Sequence, residues 1–532
     1  MNMRPEITSI KRLALLAIML LLSAVGCKKF GDLNTDPTKS SNLNPINQLI
    51  FAQLWFSGDL STQERTNTIM LLPMMQQLGG AYYTRYGGLY IKNQPYLYVL
   101  WENSYGNDVL NIVDAVKRTT GDETKTNLNA MCRIMKVYTF ARLTDIYGDI
   151  PYFEAGKAAD GIKRPKYDAQ KDIYDDFLKE LASASAQLDA TKDKVSTEVF
   201  YKGDVPSWKK FANSLRLRLA LRLVKRDPER AKTEVLAAFN AGVFTSNADV
   251  CMTRHENVQN TYSDLRGNSV SVGINQQSAM PKLCSTLIDQ FKNTLDPRLN
   301  YIPRCYKDNT PIKPFEREDI TNQVKAKIGL IGSKPGRYTY EDPVTSTAIT
   351  LASGASYVPT NVELKCQLNN ALIRNNAPFF HLTYAEVELL LADATVRLGL
   401  TLGVDANTHY RKGVEAAMQQ LSLFPEGPVV TASEISTFQT NNPLVAGTEL
   451  EQINTQLWIA LLLNGPETYA NWRRTGFPRL VASPSTESTS LTIPRRFQYT
   501  LTEKEQNAEN VQAAINILGE DDWLKRVWWD QQ

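Results

Sequence analysis

The chain has 532 residues, 43% hydrophobic and 22% charged, which is the composition of a folded globular body rather than a disordered or membrane-embedded one. Its 59 Lys and Arg nearly balance 56 Asp and Glu, with no concentrated basic stripe, so nucleic acid is not an expected partner. No segment reaches the roughly 18 uninterrupted apolar residues that mark a transmembrane helix.

Arg4, Lys11 and Arg12 precede an apolar run over residues 13–22, and Ser23, Ala24, Val25 and Gly26 then lead to Cys27. A basic start, a short apolar stretch and small residues at the junction make a secretory signal. A cysteine directly after that junction resembles the lipobox of bacterial lipoproteins, with Ala24 where most of them carry Leu. The resemblance implies cleavage before Cys27 and acylation of its thiol; several acyl chains are needed for firm anchoring, because one alone binds a membrane only marginally. The alternative is an ordinary signal peptide followed by an incidental cysteine. Residues 1–26 are therefore read as a lipoprotein signal peptide and 27–45 as a lipidated, polar tether with a turn signal at Asp36 and Pro37. Residues 46–532 are read as the body. Removing the signal leaves 56 basic and 55 acidic residues, a net charge of +1.

An aromatic run opens the body: Tyr82, Tyr83, Tyr86 and Tyr90, then Tyr96, Tyr98 and Trp101. Flat rings stack on sugars or apolar peptide groups, and the phenol adds a hydrogen bond. Gly87 and Gly88 would allow a tight turn presenting the rings outward. The run makes Tyr82, Tyr83, Tyr86, Tyr90 and Trp101 the candidate ligand-binding residues. The competing reading is packing at helix junctions, where helical proteins bury many tyrosines.

Apolar residues recur at helical spacing over about 127–146, and further helices are expected near 173–188, 208–224 and 229–241. Asp145 and Asp149 have the look of a catalytic carboxylate pair, but Gly148 and Pro151 around them form a helix-stop signal, which favours structural roles. From about 249 to 376 the pattern breaks into turns and β-prone runs, including residues 336–340, and such a long irregular stretch points to functional surface or insertion. Helical order returns with Thr383 and Glu386, spaced as a capping box, and Leu382 and Val387 as its staple. One helix with Tyr384, Val387, Leu391, Ala394 and Leu398 on one face, a turn at 399–403, and a second with Tyr410, Val414, Ala417 and Leu421 form a helical hairpin. A helical block follows over 453–463, resumes after Gly465 and Pro466, and ends near Gly476. Arg473 and Arg474 lie late in it, where cations favour the helix C-terminus. Residues 483–490 read as a loop, Thr502 and Glu505 as a second capping box, and Trp528 and Trp529 as packing for the C-terminus.

After Cys27, five cysteines remain at irregular spacings, which is no disulfide framework but leaves one or two pairs open. His255, His381 and His409 are the only histidines and are too few and scattered for a zinc site. No cofactor or metal is expected. Calcium is undecided, since its oxygen ligands leave no signature here beyond an absent EF-hand spacing.

Several blocks together resemble the SusD/RagB family of nutrient-binding outer-membrane lipoproteins, in its SusD-like branch. They are Leu143 to Tyr152 (LTDIYGDIPY), Pro165 to Asp168 before Ile173 and Tyr174, Trp208 to Arg216 (WKKFANSLR), Leu382 to Glu386 (LTYAE), Asn471 to Pro478 (NWRRTGFP) and Arg526 to Asp530 (RVWWD). The resemblance implies a mainly all-α fold, a tetratricopeptide-like superhelix of helical hairpins with a loop-rich elaboration. It also implies a non-catalytic, surface-exposed lipoprotein of the outer membrane that captures a glycan, peptide or similar nutrient and acts as the lid of a SusC-like TonB-dependent transporter. The alternatives are a lipid-anchored helical scaffold binding only proteins, and a secreted glycosidase using two carboxylates. Neither a G-x-S-x-G elbow nor an H-E-x-x-H motif is present.

Overall fold

Short polar side chains set where the helices begin, and glycines set where several end. The computed structural model describes residues 43–531 except 278, 310–312, 340–344, 484, 486, 489 and 490. The signal peptide, Cys27 and most of the tether lie outside the described residues. The first helices are α1 (Pro45–Gly58), α2 (Gln94–Gly106), α3 (Asp108–Thr119), α4 (Thr126–Tyr147), α5 (Gln170–Gln187), α6 (Val205–Arg222) and α7 (Pro228–Ala241). Asn93, Asp204 and Asp227 cap α2, α6 and α7 by accepting from the N–H groups of Tyr96, Ser207 and Arg230 at 3.3, 2.9 and 3.1 Å, replacing helix-start partners that the backbone lacks. A proline in the first turn of each loses no bond, because its missing N–H would be unpaired there anyway.

These helices pack in sequence: α1 on α3, then α3 on α4, α4 on α5, α5 on α6 and α6 on α7. Each partner is a near neighbour along the chain, which is what a stack of helical hairpins requires. α3 buries Val109, Ile112 and Ala115 on one face, while α4 is buried almost all round, as expected of a helix with neighbours on several sides. α4 stops at Gly148, whose φ of +89° suits glycine and few other residues.

The second helical group is α8 (Tyr384–Leu398), α9 (Ala406–Gln419), α10 (Glu449–Ala460), α11 (Gly465–Thr475) and α12 (Ala508–Leu518). α8 packs on α9 and α10, and also on α6 and α7, which joins the two groups. Short strands join them: β1 (Leu78–Gly79) lies between α1 and α2, and between the two groups short helices alternate with β2 (Cys251–Thr253), β3 (Lys282–Leu283), β4 (Pro303–Arg304), β5 (Gln367–Leu368) and β6 (Phe379–Leu382). Every ladder among the described residues has two strands, with β1 on β3, β2 on β6 and β4 on β5, all antiparallel. The fold is therefore mostly helical and tetratricopeptide-like, with the irregular elaboration stitched on by β-pairs. One apolar core runs from Leu49 in α1 to Trp529.

Both capping boxes need correction. Thr383 does cap α8, its hydroxyl accepting from Glu386 N at 3.1 Å. The Glu386 carboxylate, however, turns away to the buried guanidinium of Arg218, at 2.5 and 2.7 Å, because a two-pronged charge-assisted contact outweighs one backbone bond. With Thr502 as the cap the helix would start at residue 503; it begins two residues earlier, at Leu501, and Thr500 caps it by accepting from Glu503 N at 3.2 Å. The Thr502 hydroxyl instead meets Glu102 at 3.0 Å.

Asp145 and Asp149 have the structural roles expected of them. Asp145 accepts from the Tyr174 hydroxyl and, at 2.9 Å, from Trp529 Nε1, and it pairs with Arg222 at 3.3 Å. Asp149 accepts from Gln170 N at 2.8 Å and so caps α5. Arg474 pairs with Asp393 at 3.0 Å in the core. Burial alone would raise the Asp393 carboxyl, but Arg474 and Arg397 hold it well below the usual range. Trp529 is buried, with the Arg473 guanidinium 4.8 Å from its ring centroid, while Trp528 is only half-buried.

Candidate functional site

The aromatic run divides between two environments. At the surface, the helical turn Arg85–Gly88 holds Arg85 and Tyr86, with Tyr82 just before it. Neither Gly87 nor Gly88 has the positive φ of the tight turn expected there. Their role is close approach. A Cβ on Gly87 would lie 2.0 Å from the Met70 carbonyl oxygen, and one on Gly88 would lie 2.8 Å from Gly336 Cα. The second contact brings the 336–338 segment of the elaboration against the run.

As a result, the Tyr338 ring stacks on Tyr82 with centroids 5.9 Å apart and planes at 26°. Tyr86 stands edge-on to Tyr82 at 6.5 Å and to Tyr96 at 5.2 Å. The Arg85 guanidinium sits 4.0 Å from the Tyr82 centroid, donates to the Tyr82 hydroxyl at 2.6 Å and pairs with Glu487 at 2.8 Å. Tyr82 is still 55% exposed. The patch offers apolar ring surface beside a guanidinium, a carboxylate and phenol groups. That combination suits a ligand with an apolar face and a rim of hydroxyls or amides.

Trp101 and Tyr90, two of the five candidates, belong elsewhere. Trp101 is 3% exposed and sits among Tyr105, Tyr147, Tyr167 and Tyr499 at 4.8, 5.1, 5.8 and 5.9 Å. Tyr90 is 1% exposed, and burial pushes its phenol up to about 12. Both are core residues. Tyr83 is intermediate: its ring packs on the core and its hydroxyl is buried, so burial, with the charge of Glu64 adding, holds its phenol well above the ordinary value. Tyr96 is raised by burial first and then by Tyr86.

Arg85, Tyr338 and Glu487 join Tyr82 in the candidate patch, although the sequence reading does not name them. Arg85 was visible inside the tyrosine run. Tyr338 and Glu487 reach the site only through the fold, and nothing local marks them. Another concavity, of about 250 Å3, is lined by Tyr147, Asp149, Lys171, Arg496, Tyr499 and Trp528 among others. Its charges are already engaged: Arg496 with Tyr147 O and Asp521, Lys171 with Asp175, and Asp149 with Gln170 N. Among the described residues no group of three or more His, Cys, Asp or Glu is placed to hold a metal ion, and no helix is long and apolar enough to cross a membrane. All three histidines are buried in hydrogen bonds, His409 between Glu388 and Leu402 O.

Stacked helical hairpins carrying a looped elaboration with an exposed aromatic patch define a repeat-built binding scaffold. Residues 34–500 match the SusD-like model of proteins described as starch-binding and associating with the outer membrane. A chitin-binding protein is 37% identical, with a TM-score of 0.79 over 92% of this chain and 100% of its own. The Bacteroidetes AC2a SusD-like protein is 31% identical, with a TM-score of 0.85 over the same shares, 92% and 100%. A chitin-binding SusD homologue from Flavobacterium johnsoniae, 23% identical with a TM-score of 0.71 over 92% and 99%, shares the fold. No curated protein matches the sequence. The chain belongs to the SusD-like family.

Proposed function

We propose that this protein is a non-catalytic, surface-exposed lipoprotein of the outer membrane that captures a glycan and passes it to a SusC-like TonB-dependent transporter, as its lid. Cys27 would carry the anchor. The observation that carries the binding part is the exposed Tyr82 ring, braced by Tyr338 and Arg85, whereas the Trp101 cluster of the same run is packed inside. Family membership supports the location and the transporter partnership, and the chitin-binding relative makes chitin oligosaccharides the first ligands to test. Sugar C–H faces stack on tyrosine rings, and Arg85 and Glu487 stand where ring hydroxyls or acetamido groups would reach them.

Calorimetric titration with chitin and starch oligosaccharides and short peptides tests the reading. Binding of a glycan that weakens in Tyr82→Ala at unchanged melting temperature supports it, as does a lack of cleavage products after prolonged incubation. Binding that Tyr82→Ala and Tyr338→Ala leave untouched would sink the assignment of the patch. Product formation would sink the non-catalytic role. Co-purification from outer membranes tests the transporter separately, and loss of membrane retention in Cys27→Ser tests the anchor.

A further inference from the structure

The five cysteines after Cys27 left their pairing open, and the β4–β5 ladder narrows it. Its register sets Pro303 opposite Leu368 and Arg304 opposite Gln367, so the next pair along is Cys305 opposite Cys366. Their backbones hydrogen-bond elsewhere. Cys305 N donates to Thr321 Oγ1 at 2.8 Å and its carbonyl accepts from Ile320 N at 2.9 Å. Cys366 N donates to Ile331 O and its carbonyl accepts from Leu283 N, both at 2.8 Å. The two therefore occupy a non-hydrogen-bonded cross-strand site. Such sites bring Cα atoms to about 4.5 Å, inside the roughly 4.4–6.8 Å window that a disulfide spans. The two sulfurs are already 3.8 Å apart. Cys132, Cys251 and Cys284 are also buried; the Cys284 thiol donates to Leu78 O at 3.0 Å.

We propose that Cys305 and Cys366 form a disulfide in the exported protein, fastening the base of the segment that presents Tyr338. The two lie 61 residues apart in sequence, and closing so long a loop restricts the unfolded chain strongly. Lys282 lies buried beside them, donating to Gln367 Oε1 at 3.0 Å, and its positive charge favours thiolate on Cys366, while the hydrogen bond to Cys366, and then burial, hold the Cys305 thiol well above its ordinary value until Cys366 has reacted. With Cys305 as hydrogen-bond donor, Cys366 is held below the ordinary thiol value. Cys366 thiolate attacks one sulfur of a small-molecule disulfide, expelling one thiolate and leaving a mixed disulfide. Cys305 thiolate then attacks Cys366 Sγ and expels the second. The two thiol protons and two electrons end on two reduced small-molecule thiols. Both sulfurs are buried, so the bond forms while the chain folds.

The bond is expected only where export delivers the chain to an oxidising compartment, so this part rests on the proposed function, whereas the chemistry is testable without export. The full-length protein is refolded from denaturant in an oxidising glutathione buffer, alkylated under denaturing conditions and mapped by mass spectrometry. The expected result is one peptide pair joining Cys305 to Cys366, with Cys27, Cys132, Cys251 and Cys284 alkylated. Reductant should then lower the melting temperature by several degrees in the wild type and not in a Cys305→Ala, Cys366→Ala double variant. Full alkylation of both cysteines after oxidising refolding, or a different pairing, overturns the proposal, and this mapping stands even if the double variant fails to fold. If refolded protein carries the bond and protein taken from cells does not, the chemistry holds and export to an oxidising site fails.

Discussion

Tyr82 and Trp101 belong to one aromatic run, yet they end in opposite settings. Tyr82 keeps more than half its surface in water beside Tyr338 and Arg85. Trp101 is enclosed where α2, α4 and the segment carrying Tyr499 meet, and Tyr147 beside it donates its hydroxyl to Leu97 O at 2.6 Å. Ring geometry does not separate the two sets, since stacked and edge-on pairs occur in both. What separates them is what lies behind the rings. Trp101 projects from a capped helix into the core, whereas Tyr82 precedes a helical turn held flat on the body by two glycines. Aromatic density thus marks places where rings collect, and burial decides whether they hold the fold together or stay free to meet a ligand.

The widest separation should come from Trp101→Ala. Emptying a site ringed by four aromatics costs about 3–5 kcal/mol, read as a large drop in melting temperature or denaturant midpoint. Glycan affinity per folded molecule should stay within a factor of about two. A selective loss of affinity at unchanged stability would place Trp101 at the ligand after all.

The interior also answers to acid. Burial holds His255 down at about 4 against an ordinary 6.5, with its ring nitrogens bonded to Ser57 Oγ and Arg266 O at 3.0 and 2.9 Å. The fold keeps the imidazole neutral, so the unfolded chain takes up a proton below pH 6.5 that the folded chain refuses until about pH 4. This contribution is complete above pH 6.5 and is lost as pH falls across that window, to an extent of order 3 kcal/mol. Denaturant melts at pH 7 and pH 4.5 should show a smaller acid loss in His255→Gln than in the wild type. Equal losses would mean that the imidazole is already free to protonate in the folded state.

The helical scaffold was legible in the sequence because its signals are local: apolar spacing for α4 to α7, Gly148 and Gly476 as stops, and Thr383 as a cap. Glu386 was misread because its true partner, Arg218, sits on another helix, and a carboxylate three residues after a threonine looks the same whether it bonds backwards or across the core. The site was half legible. The tyrosine run named its own surface half, but it could not show that Tyr90 and Trp101 point inward. It also could not show that Gly88 meets Gly336 and so draws Tyr338 to Tyr82, a contact between regions with no shared local pattern.

Tyr82→Ala should weaken glycan binding about tenfold, about 1.4 kcal/mol, with the melting temperature nearly unchanged, because a ring already in water gives up little burial on removal. Full affinity in this variant would return the whole run to packing.

The smallest and most discriminating effect belongs to Tyr338. Its ring braces Tyr82 from a separate segment, and an aromatic pair contributes about 0.5–1.5 kcal/mol beyond the area it buries. Tyr338→Ala should therefore reduce affinity about threefold to tenfold, and Tyr338→Phe should restore most of it, since stacking needs the ring and not the hydroxyl. Calorimetry on the pair separates two ways of making a platform. If Phe rescues, the surface patch works as the interior one does, by ring against ring, and differs only in having one side left for a ligand. If Phe binds as poorly as Ala, the hydroxyl touches the ligand itself, and Tyr338 is a contact residue rather than a brace.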